Sequence, residues 1–300
     1  MHPDASVPKK EESIIFPEEW EDVIEDVVLR KGVFFILGST DSGKTTLARN
    51  IIGRKLEKVE EVAFVDSDVG QSTLGPPATV SMAILRNKFK PLDRLLPLSM
   101  RFIGSISPSG HLLETVTAVK ALVEKAKGLG VENIIVDTTG MVCGEEATAL
   151  KTNKINLIQP DVIIAIEKEK ELEGILRILE IQRSFKIVHL ASPSWINGRS
   201  KEERRRQRAM KFRDYFQGST LESIPLRSVA LYRVSPLRFE NLILGLIDGN
   251  FETLGLGVGV RWKGASLEII TPLKILDNVK IIQGGSFKID VESGEEIIIF

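Results

Sequence analysis

The sequence predicts an α/β fold, a mostly parallel sheet flanked by helices, with a small β-rich domain at the carboxyl end. Three observations predict it. Short apolar runs without polar alternation recur between helix-forming segments as far as about Phe216, as strands covered on both faces require. Beyond Leu221 the runs follow one another without helices and are punctuated by glycine. Finally, 43% of the 300 residues are hydrophobic, enough to fill a core of this size and to exclude disorder for the chain as a whole. The expected organisation is an N-terminal segment over 1–30, an α/β domain over 31–220 and a β-rich domain over 221–300.

Residues 1–13 are polar and are expected to fray, whereas Val23, Ile24, Val27 and Val28 set a helical stripe across Pro17–Leu29. Strands are expected at Val33–Leu37, Val62–Val65, Ile134–Val136, Val162–Ile166 and Lys186–Leu190. Helices are expected at Lys44–Leu56, Glu114–Leu129, Lys170–Arg183 and Ser200–Phe216. This alternation is that of a layered α/β architecture. The β-rich part reads as Ser228–Val234, Leu242–Ile247, Leu254–Trp262, Ser266–Ile270, Val279–Ile282 and Glu296–Phe300. The alternating glycines of Gly255-Leu256-Gly257-Val258-Gly259 have no helix after them, so they read as bends or bulges in a strand.

With 40 Lys+Arg against 41 Asp+Glu the net charge is −1, so contact with a polyanion has to come from a local cluster. A single Cys143 excludes an internal disulfide, and three scattered histidines argue against a zinc cage. No apolar run approaches the ~18–20 residues of a membrane span, and the acidic start is unlike a signal peptide. A cytoplasmic protein without a membrane partner is the expectation.

Gly38-Ser39-Thr40-Asp41-Ser42-Gly43-Lys44-Thr45 matches G-x-x-x-x-G-K-[ST] between an expected strand and the helix-forming segment Thr46–Ile52. The glycines let backbone N–H groups wrap a phosphate, the helix N-terminus adds positive potential, and Lys44 reaches the β/γ oxygens. Thr45 offers its hydroxyl to Mg²⁺ or another divalent metal. The α/β part is therefore expected to be a P-loop NTPase. Two strand ends could supply the accompanying carboxylate: Asp137 of Asp137-Thr138-Thr139-Gly140, and Asp66 with Asp68 of Asp66-Ser67-Asp68-Val69-Gly70-Gln71. If extended conformation persists, Asp66 and Asp68 point the same way, one toward a metal and the other toward an attacking hydroxyl. Guanine specificity would call for N-K-x-D after a later strand. Asn153-Lys154-Ile155-Asn156 lacks the carboxylate and comes too early, so ATP is the expected nucleotide.

From Arg199 to Arg213 the chain carries eight positive charges against two negative. On a helix Arg204 and Arg208 share a face, while Phe212, Tyr215 and Phe216 can anchor the segment. Such a helix could close over the nucleotide as a lid, its guanidiniums neutralising charge on a transferring phosphoryl group.

These motifs resemble, in order, those of the Clp1/Grc3 family of polynucleotide 5′-hydroxyl kinases, in particular its compact archaeal members. The match rests on the P-loop, the Asp66–Gln71 block, the Thr138-Thr139-Gly140 turn that resembles the family's clasp, and the R-x-x-x-R lid of Arg204 and Arg208, over roughly residues 30–220. The resemblance implies transfer of the γ-phosphate of ATP to the 5′-hydroxyl of RNA or DNA. It implies that Lys44 holds the γ-phosphate, Asp68 engages the hydroxyl and Gln71 lies near the acceptor. Thr138 to Gly140 would clasp phosphates, and Arg204 and Arg208 would complete the charge shell. Arg205 is an alternative lid residue, because the register of Arg204-Arg205-Arg206 is open by one. Two departures stand out. Met141 occupies a position where eukaryotic members commonly have Trp, and the N-terminal β domain of those members has no counterpart before the first strand. Trp20 is a candidate to contact adenine in its place, with a core or surface role as the other reading. The rival functions are an ATP-bound scaffold of an RNA-processing complex, a P-loop switch NTPase and a small-molecule kinase; protein partners are left open.

Overall fold

The computed structural model describes residues 16–86, 91–181, 184–196 and 198–297. The expected fraying of 1–13, the end of the Lys170–Arg183 helix and the last residues of the Glu296–Phe300 strand lie outside them. A first sheet holds β1 (Gly32–Gly38), β2 (Glu61–Ser67), β3 (Thr79–Arg86), β4 (Ser99–Phe102), β5 (Asn133–Thr138), β6 (Val162–Glu167) and β7 (Lys186–Ala191) in the order β4-β3-β2-β5-β1-β6-β7. The strands from β2 to β7 in that order run parallel, while β3 and β4 are antiparallel additions at one edge.

Helices cover both faces, which is why these strands read as unbroken apolar runs. On one side α1 (Glu18–Leu29) and α2 (Lys44–Leu56) bury Trp20, Ile24, Leu47 and Ile51 against Phe34, Ile36 and Phe64. On the other, α3 (Leu112–Gly128), α4 (Glu145–Ile158) and α5 (Glu173–Glu180) pack against Phe35, Val65 and Val136. Neither α4 nor the pair β3 and β4 was expected from the sequence, and α5 is shorter than the expected Lys170–Arg183 helix.

The last helix, α6 (Lys201–Phe216), begins at a capping box: the Ser200 hydroxyl accepts from the Glu203 N–H, and the Glu203 carboxylate accepts from the Ser200 N–H. Phe212 and Phe216 anchor it against Phe102, Ile243, Leu256 and Ile289, and the Tyr215 hydroxyl accepts from the Leu256 N–H at 2.7 Å. The chain then enters a second sheet of β8 (Thr220–Pro225), β9 (Ala230–Tyr232), β10 (Leu242–Ile247), β11 (Thr253–Lys263), β12 (Ser266–Thr271), β13 (Ile281–Ile289) and β14 (Glu296–Ile297). Their order is β14-β13-β10-β11-β12-β8, all antiparallel, with β9 added parallel to β13. Gly255, Gly257 and Gly259 all lie in β11, and its register against β12 shifts between Gly259 and Arg261, as a bulge requires. Among the described residues no helix is long and apolar enough to cross a membrane.

Candidate active site

Strand order builds the site. Because β2, β5 and β1 are parallel neighbours, their carboxyl ends emerge side by side, the usual location for ligands of open α/β sheets. Asp66 pairs in register with Asp137, and Ser67 with Thr138. The P-loop leaves β1 beside them and runs into α2. Gly43 adopts φ 101°, and a Cβ there would come within 2.9 Å of the Trp20 ring, so only glycine fits. Trp20 is therefore a buttress of the P-loop: it is fully buried, stacks on Phe16 and donates its indole N–H to the Ala191 carbonyl. This corrects its reading as an adenine contact, since no face of the ring is open.

A cleft of about 500 Å³ opens between the P-loop and α6. Thr40 to Thr46 line one wall, Asp68, Gly70 and Gln71 the floor, and Arg199, Gln207, Arg208 and Lys211 the opposite wall. Lys44 is nearly buried and donates to the Ser39 carbonyl at 2.6 Å. Burial pushes its pKa down, opposed by the charges of Asp137 and Asp68. Within the P-loop, the buried Ser42 hydroxyl has no hydrogen-bond partner among the described residues. Gly38 and Ser39 sit behind the wall, where the Ser39 hydroxyl donates to Glu171 at 2.6 Å.

The three aspartates differ in their surroundings. Asp137 is buried and accepts from the Thr45 hydroxyl at 2.5 Å. Asp66 is buried beside it, but its oxygens already accept the backbone N–H groups of Asp68, Thr73 and Leu74. Burial and then the Asp137 charge push Asp66 up to about 7; burial also raises Asp137, against the pull of Lys44 and Thr45. The extended backbone stops at Ser67, so Asp66 and Asp68 part company. Asp68 lies at the cleft, its Oδ1 held by the N–H groups of Gly70 and Gln71, while among the described residues Oδ2 takes no hydrogen bond. The Gln71 amide donates to the Gly70 carbonyl at 2.9 Å.

Thr138 is turned away from the cleft: its hydroxyl donates to the Ile36 carbonyl of β1. Thr139 is buried as well, and Gly140 lies so close to the P-loop that a Cβ would come within 2.4 Å of the Thr40 nitrogen. Thus the clasp turn forms the base of the P-loop and leaves the cleft wall to other residues.

On α6 the basic run divides by direction. Arg204 donates to Asp41 at 3.2 Å, and Arg199, just before the helix, grips the same carboxylate through its backbone N–H, Nε and Nη2. Burial alone would raise Asp41, but these arginine bonds outweigh it and hold the carboxyl below its usual range. Arg208 lines the cleft with its Nε donated to Glu296 of β14 at 2.7 Å. Arg205 points instead toward Glu295, 3.8 Å away. Sequence reasoning did not single out Lys211, which is half-buried, lines the cleft and donates to the Ser72 carbonyl. Its place three residues after Arg208 is the helical spacing that could have found it. Arg49 of α2, also in the wall, had no such signal.

Mg²⁺ requires hard oxygen donors and keeps several waters and substrate phosphates as its other ligands. The Thr45 hydroxyl and the Asp137 carboxylate supply such donors, and the buried pair of Asp137 and Asp66 is an anionic centre that a cation would offset. The residues fit a divalent metal, with Asp137 nearer to Thr45 than the fully engaged Asp66.

The chain is similar to known proteins over most of its length. Residues 38–218 match the family model described as mRNA cleavage and polyadenylation factor CLP1 P-loop. A polyribonucleotide 5′-hydroxyl-kinase of Methanocaldococcus jannaschii is 33% identical, over 87% of this chain and 88% of that protein. One from Pyrococcus furiosus is 29% identical, over 89% of this chain and 90% of that protein. The fold is similar to that of Clp1p solved in complex with Pcf11p, with a TM-score of 0.69 at 14% identity, covering 89% of this chain and 77% of that one.

Proposed function

The chain belongs to the CLP1 P-loop family, and from that premise we propose that it is a polynucleotide 5′-hydroxyl kinase that transfers the γ-phosphate of ATP to the 5′-end of RNA. The observation that carries this reading is one cleft in which Lys44, Thr45, Asp68, Arg208 and Lys211 meet. The polyribonucleotide named for the relatives favours RNA over DNA as the acceptor.

In the reaction the P-loop amides and Lys44 hold the β- and γ-phosphates. Thr45 and Asp137 would hold Mg²⁺, which neutralises charge on those oxygens when bound. Asp68 takes its place opposite the γ-phosphate: Oδ1 is fixed by two backbone amides, so Oδ2 can accept the proton of the 5′-hydroxyl. The 5′ oxygen forms its bond to the γ-phosphorus as the bond to the β,γ-bridging oxygen breaks, and ADP leaves with that electron pair. Arg208 and Lys211 face the transferring group and the acceptor phosphates, and Arg204 with Arg199 fastens α6 to the P-loop through Asp41. Holding α6 there also excludes water, which limits wasteful hydrolysis of ATP.

The test is direct. Purified protein is incubated with γ-labelled ATP, Mg²⁺ and 5′-hydroxyl RNA or DNA oligomers, with 5′-phosphorylated oligomers as blocked controls. Label on 5′-hydroxyl RNA and none on the blocked oligomer is expected. ATP that stays intact in the presence of 5′-hydroxyl ends would instead favour a nucleotide-bound scaffold.

A further inference from the structure

Two lysines of α4, Lys151 and Lys154, are fully buried, though lysine is among the side chains least often found without solvent. Both lie beneath the strand ends that carry the site. Lys151 donates to the Thr138 hydroxyl at 2.9 Å and to the Thr139 carbonyl at 2.5 Å, and Thr138 passes the connection on by donating to the Ile36 carbonyl of β1. Lys154 donates to the Ser67 hydroxyl of β2 at 3.1 Å, and Ser67 donates to the Asp137 carbonyl of β5 at 2.9 Å. Each lysine therefore heads a hydroxyl relay that crosses from one parallel strand to the next, one between β5 and β1 and the other between β2 and β5. These crossings fall one residue past Asp66 and Asp137, and one residue before Asp68. Two residues past Thr138, Gly140 packs directly against Thr40 of the P-loop.

We propose that Lys151 and Lys154 are positioning residues for phosphoryl transfer: through their two relays they fix the spacing between Asp68, Asp137 and the P-loop. The inference rests on the kinase reading and adds to it residues outside the four motifs. The physical argument is one of geometry. Backbone hydrogen bonding between parallel strands ends with the strands, and the loops beyond them would be free to shift by fractions of an ångström. A buried donor removes that freedom, Lys151 by satisfying the Thr138 hydroxyl and the Thr139 carbonyl and Lys154 by satisfying the Ser67 hydroxyl, because leaving those acceptors unpaired in the interior is costly. Transfer is sensitive to such shifts, since a displacement of about 1 Å can cost about a hundredfold in rate. Burial pushes both lysines down from their ordinary values, Lys154 to about 8, so burying an amine here works against its charge. A methionine of similar length would be the easier core residue.

The experiment compares wild type with Lys151→Met and Lys154→Met, which keep the length of the side chain and delete the donor. Deleting the donor leaves buried oxygens of Thr138, Thr139 or Ser67 without their partner, so a lower melting temperature is expected, and kcat is compared per folded molecule at a temperature where every variant is folded. At that assay temperature kcat should fall about a hundredfold in Lys151→Met, with KM for ATP and for a 5′-hydroxyl RNA oligomer changed less than about threefold. Amide hydrogen exchange over 137–142 should become faster in the same variant, while the middle of α4 stays protected. Wild-type kcat in both variants overturns the proposal, and so does a rate loss that merely follows a loss of folded protein. If wild type itself transfers no phosphate, the kinase reading falls; exchange at 137–142 then decides the relays alone, and unchanged rates in both variants overturn them.

Discussion

In the first sheet one group of buried polar side chains converges: Asp66, Ser67, Asp137 and Thr138 stand at neighbouring strand ends with Lys44, Lys151 and Lys154 around them, whereas Asn133 at the opposite end of β5 is paired locally with Lys55. In the second sheet they are scattered, and the contacts they make are with the nearest scaffold. The Thr253 hydroxyl accepts from the Phe102 N–H, Thr271 donates to the Leu256 carbonyl, and Glu268 pairs with Arg261 and Lys263. Polar groups that settle their needs locally hold a structure together, whereas groups crowded with others of like charge are held ready for a ligand. The second sheet still reaches the cleft wall where Glu296 of β14 receives Arg208.

Substitutions should separate the two sheets by what they damage. The largest effect is expected from Lys44→Ala, which should lower transfer of label by about a thousandfold or more with the circular dichroism spectrum unchanged. Asp68→Asn removes the proton acceptor but keeps the side chain's shape, and kcat should drop by about 10²–10⁴; near-wild-type turnover would contradict the role assigned to Asp68. In the second sheet Leu244→Ala empties part of a sealed core and should lower unfolding free energy by about 2–5 kcal/mol in urea titrations. Turnover per folded molecule should stay as in wild type. A loss of kcat there would mean that the sheet does more than carry α6.

Lys211→Met sharpens the boundary, because α6 belongs to the cleft on one face and to the second sheet on the other. An approximately tenfold rise in KM for the RNA oligomer and a shallower dependence on salt are expected, as for one lost phosphate contact. The smallest effect concerns Glu171, which accepts from the P-loop Ser39 hydroxyl and from the Lys168 and Glu169 amides. Burial opposes its ionisation, but these bonds win and bring its carboxyl down to about 2 from 4.5. A depressed carboxyl stabilises the native state fully above about pH 4.5 and loses that contribution as pH falls toward 2. Urea midpoints measured across this window should fall less steeply in Glu171→Gln than in wild type.

Parts of the molecule with uniform surroundings were legible from pattern. The helix expected at Lys44–Leu56 has those bounds, because the P-loop dictates its start and its apolar residues face one sheet. The helix α4 was missed for the reason that makes it interesting. Its inward stripe is Ala147, Leu150, Lys151, Lys154, Ile155 and Ile158, and two lysines in an apolar stripe look like solvent-facing positions. Lys154 is also the lysine of Asn153-Lys154-Ile155-Asn156, and its side chain lies under Ser67. Strands β3 and β4 escaped because Ser81, Ala83 and Ser99 weaken their strand character, and antiparallel pairing at an edge supplies what the local sequence does not.

By itself the sequence determined the P-loop, the helix that follows it, the parallel strands and the basic character of α6, since each is written in adjacent residues and obeys local sterics and periodicity. Tertiary structure alone decided that Asp137 meets Thr45, that Asp66 is spent on backbone amides, that Arg205 turns away and that two lysines lie beneath the strand ends. The reason is physical: strand order brings together residues separated by 70 or more positions, as Ser67 and Asp137 are, and no periodicity in the chain records which strands become neighbours.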